Sequence, residues 1–222
     1  MGIESDTRFW NRAAESYSKS AVSDETAYQC TLDETRKLLK PSDSILELGC
    51  GTGTTALHLA DAVRRYLATD LSPEMIKIAE TKHTARNGGP VPGLSFRTAT
   101  AESLEDSPNS ELEGNLLHFD AILGFNYLHL VHDLPATLRR VHALLADGGL
   151  FISKTPCVGE MNIVLRLGLP VMQFVSKAPH VIVFREAELG EQIRAAGFEI
   201  LRTEMHATKG NDHRPYIIAR KK

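Results

Sequence analysis

The stretch Ile45-Leu46-Glu47-Leu48-Gly49-Cys50-Gly51-Thr52-Gly53-Thr54-Thr55-Ala56-Leu57 constrains the fold of this chain more than any other. Its first half, with Ser44, is a short apolar run that reads as a buried strand. Three glycines at alternate positions follow, and then an apolar pattern at helical spacing begins. Glycines permit backbone angles that side-chain residues resist, and they let a ligand lie against the main chain. A helix starting near Thr54 adds unpaired N–H groups and a partial positive charge aimed at the same spot. Strand, glycine turn and helix start together make a pocket for a ligand with an anionic end.

Beyond that helix, Arg65-Tyr66-Leu67-Ala68-Thr69 reads as a second strand ending on Asp70. An acid about 20 positions after the glycine turn is placed to accept hydrogen bonds from ribose hydroxyls. A nicotinamide-binding loop would have Gly-x-Gly-x-x-Gly, and Thr54 stands where its third glycine belongs. The order is instead Glu47-x-Gly49-x-Gly51-x-Gly53, with an acid two residues ahead of the first glycine. This resembles the first motif of class I S-adenosylmethionine-dependent methyltransferases. Asp70-Leu71-Ser72-Pro73-Glu74-Met75 resembles their second landmark, and Phe9-Trp10-x-x-x-Ala14-x-x-Tyr17 the opening helix of the menaquinone-biosynthesis type. The resemblance implies that Glu47, Gly49, Cys50, Gly51, Gly53, Asp70, Leu71 and Met75 border S-adenosylmethionine. It also implies that the opening helix folds over the cofactor, with Tyr17 near its methionyl end.

At 222 residues, 42% hydrophobic and 24% charged, the chain fits one α/β domain that buries its own core. A net charge of −3 argues against a surface built for nucleic acid. Cys30, Cys50 and Cys157 are odd in number and lack metal-site spacing, which reads as reduced thiols in a cytoplasmic compartment. The N-terminus lacks the apolar core of a secretory signal. No apolar run reaches the roughly 20 residues of a membrane span.

Taken in order, residues 9–17 and 31–39 read as helices that cap the sheet. Ser72 reads as an N-cap with Pro73 in the first turn of a helix running towards Arg86. Residues 94–99 are a third strand, followed by Thr100-Ala101-Glu102. The family places an acid or amide here against adenine. Thr100 stands where aspartate is common, so that contact falls to Thr100, the Ala101 backbone or Glu102. Residues 107–116 read as a surface loop, and Phe119–Phe125 as a fourth strand leading to Asn126-Tyr127-Leu128-His129. A helix over residues 134–145 closes on Ala146-Asp147-Gly148-Gly149 with a glycine cap, and residues 150–154 form a fifth strand. Residues 185–196 read as a helix. Residues 198–205 and 214–219 then form a terminal strand pair around a turn at Gly210-Asn211-Asp212, and Arg220-Lys221-Lys222 a solvated tail.

Strand–helix alternation implies parallel strands with helices on both faces, and ligands at the strands' carboxyl ends. Gly49, Asp70, Thr100 and Asn126 all fall there. The expected architecture is a single Rossmann-like methyltransferase domain over residues 1–222, with a mostly parallel seven-stranded sheet and an antiparallel C-terminal strand. Residues 1–40 supply helices over the cofactor, and 156–184 an inserted segment. Within that insert, residues 161–175 are strongly apolar but carry Arg166 and Pro170. Three readings stand: a lid over an apolar acceptor pocket, a core or dimer helix, or a membrane-surface element.

Methyl transfer from a sulfonium mainly demands alignment and exclusion of water. A base matters only for an acceptor that arrives protonated. His129 and His132 are candidates for that role; the alternative is that His129 makes a structural hydrogen bond beside the cofactor while His132 lies at the surface. His129, His132 and Asp133 could be pictured on a metal, but no supporting acidic pair stands at the other strand ends, and no metal is expected. Cys50 could be read as a nucleophile or as a small packing residue within the motif. The expected activity is methylation of a small, apolar or aromatic acceptor by a cytoplasmic enzyme, monomeric or homodimeric. Two alternatives remain: methylation of tRNA or protein, and cofactor binding without catalysis.

Overall fold

A computed structural model of the chain describes residues 2–104, 118–160, 179–208 and 213–222. Two helices come first, α1 (Ile3–Lys19) and α2 (Glu25–Leu38). The alternating part follows: β1 (Ser44–Leu48), α3 (Thr54–Leu59), β2 (Arg65–Asp70), α4 (Pro73–Thr84), β3 (Leu94–Thr98), β4 (Phe119–Phe125), α5 (Leu134–Leu144) and β5 (Leu145–Lys154). The chain closes with α6 (Glu186–Ala195), β6 (Phe198–Glu204) and β7 (Tyr216–Lys221). The strands form one seven-stranded sheet in the order β3-β2-β1-β4-β5-β7-β6. β1 to β5 are parallel, and β7 runs antiparallel between β5 and β6. Among the described residues no helix is long and apolar enough to cross a membrane.

Alternating side chains send each strand's residues to two cores. Leu46, Leu48, Ile122 and Phe151 pack on Leu138 and Val141 of α5 and Leu189 and Ile193 of α6. Ile45, Tyr66, Leu123 and Ile152 pack on the other face with Leu32 of α2, Ala56 and Leu59 of α3 and Ile76 of α4. Expected local signals are present. Ser72 caps α4 by accepting from the Met75 N–H, and Pro73 sits in its first turn. The Ser72 hydroxyl also donates to Asn11 Oδ1 at 2.6 Å, tying α1 to α4.

Three expectations need correction. α2 begins at Glu25, six residues before the expected start, because Asp24 accepts the Ala27 N–H and caps it. The same carboxylate accepts from the Thr208 N–H and hydroxyl, so the cap is braced from the far end of the chain. Second, α5 has no left-handed glycine cap: Leu145 is already extended and opens β5. Phe119 pairs with Leu145 but Ala121 pairs with Leu150, so the Ala146 to Gly149 segment is a bulge in the strand, with Gly148 at φ +74. Third, Arg220 and Lys221 belong to β7 and not to a tail. Lys221 Nζ donates to Leu145 O at 2.8 Å and pairs with Asp147, holding the bulge. The expected loop at 107–116, the turn at 210–212 and the apolar stretch 161–175 lie outside the described residues.

Candidate cofactor and acceptor site

The three glycines after β1 all have positive φ, but they serve different ends. A Cβ on Gly49 would stand 2.9 Å from Tyr127 Cδ2, so this glycine admits the Tyr127 ring. Among the described residues, a Cβ on Gly51 would meet only Tyr17 Cε1, at 3.5 Å, and Gly51 borders the cleft. Gly53 faces away from the cleft: its Cβ would lie 2.8 Å from both Ala79 Cβ and Phe96 Cε1. Gly53→Ala is therefore expected to destabilise the fold by roughly 2–4 kcal/mol, from a left-handed alanine plus overpacking. Urea unfolding reads this directly; a loss below about 0.5 kcal/mol would contradict the close packing of Gly53 on Ala79 and Phe96.

Asp70 ends β2 at the cleft. Its Oδ2 accepts the Gly51 N–H and its Oδ1 the Ser72 N–H, each at 2.9 Å. Burial raises its pKa, and the Ser72, Gly51 and Leu71 N–H groups oppose that rise. Glu47, in β1, is buried, and Tyr66 donates its hydroxyl to it at 2.9 Å. Burial pushes its pKa up to about 7 despite the Tyr66 bond, and the charge of Asp70 adds to the rise. Cys50 is buried and its thiol pKa is held well above the ordinary value, first by burial. It is a packing residue here.

The cleft has two chambers that share Tyr17, Gly49, Gly51, Phe125, Asn126 and Arg214. The first encloses about 500 Å³ and is bordered by Asp70, Leu71, Met75, Thr100 and Glu102. Trp10 of α1, His129 and Pro156 complete its wall. The second encloses about 300 Å³ between the sheet and α2, with Glu47, Cys50, Thr31 and Lys154 on its walls. Asn126, at the junction, has φ +51, and no other non-glycine among the described residues has a positive φ. Its N–H donates to Lys154 O at 2.7 Å. Ala101 does not border either chamber; it is buried, and its carbonyl accepts from Arg140 Nε at 3.3 Å. Glu102 Oε1 accepts the Thr137 hydroxyl at 2.5 Å, so α5 positions that carboxylate at the chamber edge.

His129 and His132 both border the first chamber but are held apart in role. His129 Nδ1 lies 3.1 Å from Thr155 Oγ1, whose oxygen also takes the His129 N–H at 3.3 Å. Burial, then the Arg214 charge, lowers the His129 pKa to about 4. His132 Nε2 meets Asp6 Oδ2 at 2.7 Å, and its ring stacks on His180 at 4.2 Å. Asp6 Oδ1 accepts the His180 N–H, so α1 is fastened to the end of the insert. Asp133 is committed to capping α5. Among the described residues no group of three or more metal-type ligands converges.

Sequence reasoning missed Arg214, Lys154 and Asp6. A signal existed for Arg214: an antiparallel β7 must begin at the carboxyl ends of the parallel strands, so the residues just before it reach the cleft. Asp6 carried none, since its partner His132 is 126 positions away.

A family model described as a methyltransferase domain matches residues 22–203. The chain belongs to the methyltransferase-domain family. The mitochondrial arginine-hydroxylase NDUFAF5 of Danio rerio is 28% identical over 171 residues, 75% of this chain and 48% of that protein. A ubiquinone biosynthesis O-methyltransferase of Xanthomonas axonopodis pv. citri is 29% identical over 170 residues, 73% of this chain and 65% of that protein. This chain therefore matches less than two thirds of the length of either. Among solved structures, a DhpI–SAH complex superposes with a TM-score of 0.71 at 20% identity, covering 99% of this chain and 96% of that one. A Thermotoga maritima SAM-dependent methyltransferase, a possible histamine N-methyltransferase by its description, gives 0.66 at 21% identity, covering 97% and 99%. At these identities the likeness speaks for the fold, which is the Rossmann-like methyltransferase fold of the neighbours.

Proposed function

We propose that this chain transfers a methyl group from S-adenosylmethionine to a small acceptor with an apolar or aromatic body. The observation that carries the reading is the arrangement of Asp70 beside Gly51. The carboxylate is held by two backbone N–H groups on the wall of the first chamber, which Gly51 also borders. The residues fit the cofactor: Asp70 offers acceptors for ribose hydroxyls, and Leu71, Met75, Thr100 and Glu102 border the same chamber, where the base would lie. The relative described as a ubiquinone biosynthesis O-methyltransferase supports a small-molecule acceptor. The reading takes residues 1–222 as one domain acting in the cytoplasm, as monomer or homodimer.

When bound, S-adenosylmethionine supplies a methyl group on a sulfonium that is already a good leaving group. The chain's own task is alignment and exclusion of water. Trp10 and Tyr17 of α1 wall the cleft, and the Asp6 contacts to His132 and His180 keep α1 in place. At the described ends of the insert, Pro156 stands in the cleft wall and Ile182 donates its N–H to His129 O at 2.7 Å. His129, with its lowered pKa and its Thr155 partner, is a positioning residue that joins the segment after β4 to the end of β5. A base working near neutral pH needs a pKa near 7.

Calorimetric titration with S-adenosylhomocysteine tests the cofactor reading. One site per chain is expected; no binding up to about 1 mM, the upper end of common enzyme affinities, would overturn it. His129→Gln should slow single-turnover transfer by less than about tenfold, whereas loss of a general base costs roughly 10²–10⁴-fold. A slowdown in that larger range, with the pH dependence abolished and cofactor affinity intact, would make His129 the base.

A further inference from the structure

We propose that His132, oriented by the Asp6 carboxylate, is the general base of the transfer, and that the acceptor presents a hydroxyl on its apolar or aromatic body. The inference rests on reading the first chamber as the cofactor site. That reading uses Asp70, Leu71, Met75, Thr100 and Glu102. The same chamber is bordered by Trp10, Leu130, Val131 and Pro156, which suit an apolar body, and by His129 and His132. His129 is already committed, with its pKa lowered to about 4 and its Nδ1 against Thr155. Such a group is a poor proton acceptor near neutral pH.

His132 is held differently. Asp6 is buried in the first turn of α1, and its carboxylate is shared between two groups. Oδ2 lies 2.7 Å from His132 Nε2, and Oδ1 accepts the His180 N–H at 3.1 Å. A carboxylate only accepts, so the proton between Asp6 and His132 sits on Nε2. That fixes the neutral imidazole in the tautomer whose Nδ1 carries the lone pair. Nδ1 has no hydrogen-bond partner among the described residues, and the His132 side chain is 34% exposed. The ring plane is set as well, because His180 stacks on it at 4.2 Å and 14°. An orienting carboxylate, a fixed tautomer and an open nitrogen on a residue of the chamber wall are the parts a general base needs.

In the transfer the acceptor's O–H bond breaks and its proton passes to Nδ1. The oxygen's electron pair forms the bond to the methyl carbon, and the carbon–sulfur pair departs with the sulfur. Asp6 balances the imidazolium charge, and the proton then returns to water. The titratable groups around the ring are Asp6 of α1, His180 at the end of the insert and Asp133, next in the chain, which caps α5. Burial first, then the His132 charge, lower the His180 pKa, which favours a neutral His180 beside a protonated His132. The arrangement selects the acceptor group too. A phenolic hydroxyl, with a pKa of about 10 like that of tyrosine, gains more from such a base than a thiol at about 8.5.

Two measurements on the full chain test this. Nitrogen NMR of the imidazole side chains at pH 8 reads the His132 tautomer without any ligand, the signal being assigned by its loss in His132→Gln. The proton is expected on Nε2 alone. In Asp6→Asn the amide oxygen takes the His180 N–H and the amide nitrogen faces Nε2, so the proton should move to Nδ1 with the packing kept. A parent ring with a proton on Nδ1 would overturn the inference. Single-turnover transfer then compares catechol and 1-naphthol with 4-nitrophenol, which is largely ionised at that pH. His132→Gln and Asp6→Asn should each slow the first two by roughly 10²–10⁴-fold, and 4-nitrophenol by less than about tenfold. Equal slowing of all three would overturn the inference, because Asp6 and His132 would then only hold α1 in place. So would a parent that methylates none of them while binding S-adenosylhomocysteine. Failure of the parent to bind S-adenosylhomocysteine would overturn the underlying cofactor reading instead.

Discussion

Asp70→Ala is expected to weaken S-adenosylhomocysteine binding by roughly 1.5–3 kcal/mol, about 10- to 150-fold, because a charged acceptor is lost from buried hydroxyls. The structure sharpens this into two measurements. The carboxylate holds the Gly51 and Ser72 N–H groups, so its loss also unpins the glycine turn. Yet burial raises its pKa in the folded chain, so the ionised form is disfavoured there relative to the unfolded chain. Asp70→Asn removes that charge but leaves one of the two N–H groups facing an amide NH2, so it should destabilise the ligand-free protein less than Asp70→Ala does. One amide oxygen cannot replace both carboxylate oxygens, so Asn should still bind weakly. An affinity loss in Asn that exceeds its loss of stability would mark Asp70 as a binding residue. Affinity within about twofold of the parent in the alanine variant would remove it from the site.

The legible parts of the fold were those with local causes. β4 over Phe119–Phe125 is an apolar run interrupted by Asp120 alone, and the Ser72-Pro73 start of α4 is both cap and first turn within two residues. What escaped was set by distant partners. The first turns of α2 look like a polar loop in sequence, and they become helix because Asp24 is bonded to both Ala27 and Thr208. The bulge at the start of β5 looks like a glycine stop, and it becomes strand because Leu145 pairs with Phe119 while Lys221 binds the Leu145 carbonyl.

The candidate site divides in the same way. Gly49, Gly51 and Asp70 were legible because strand, turn and acid follow one another along the chain. The separate uses of the three glycines were not, since Tyr127, Tyr17, Ala79 and Phe96 decide them from elsewhere. His129 and His132, three apart, invited one shared role. The fold gives each its own partner, Thr155 on β5's side and Asp6 on α1. Lys154 and Arg214 follow from position alone, as the last residue of β5 and a residue just before the antiparallel β7, but no motif marks them.

Glu47 and His129 are expected to pull the pH dependence of stability in opposite directions. Folding raises the Glu47 pKa from 4.5 to about 7, so the folded chain binds the extra proton between those values. Its contribution therefore falls as pH rises through that window, by roughly 3 kcal/mol. Folding lowers the His129 pKa from 6.5 to about 4, so there the unfolded chain binds the extra proton. That contribution rises with pH between about 4 and 6.5, by a similar amount. In the parent the two largely cancel across the overlap; removing either one exposes the other. Glu47→Gln keeps an acceptor for the Tyr66 hydroxyl, so it should match the parent near pH 4 and exceed it by up to roughly 3 kcal/mol at pH 8. His129→Gln should gain at the acid end instead, and lose its advantage as pH rises past 6.5. Urea unfolding of the three proteins from pH 4 to 8 measures both differences, and other titrating groups drop out of each comparison. A Glu47→Gln profile that stays parallel to the parent at every pH would mean that the buried carboxyl titrates as an ordinary one.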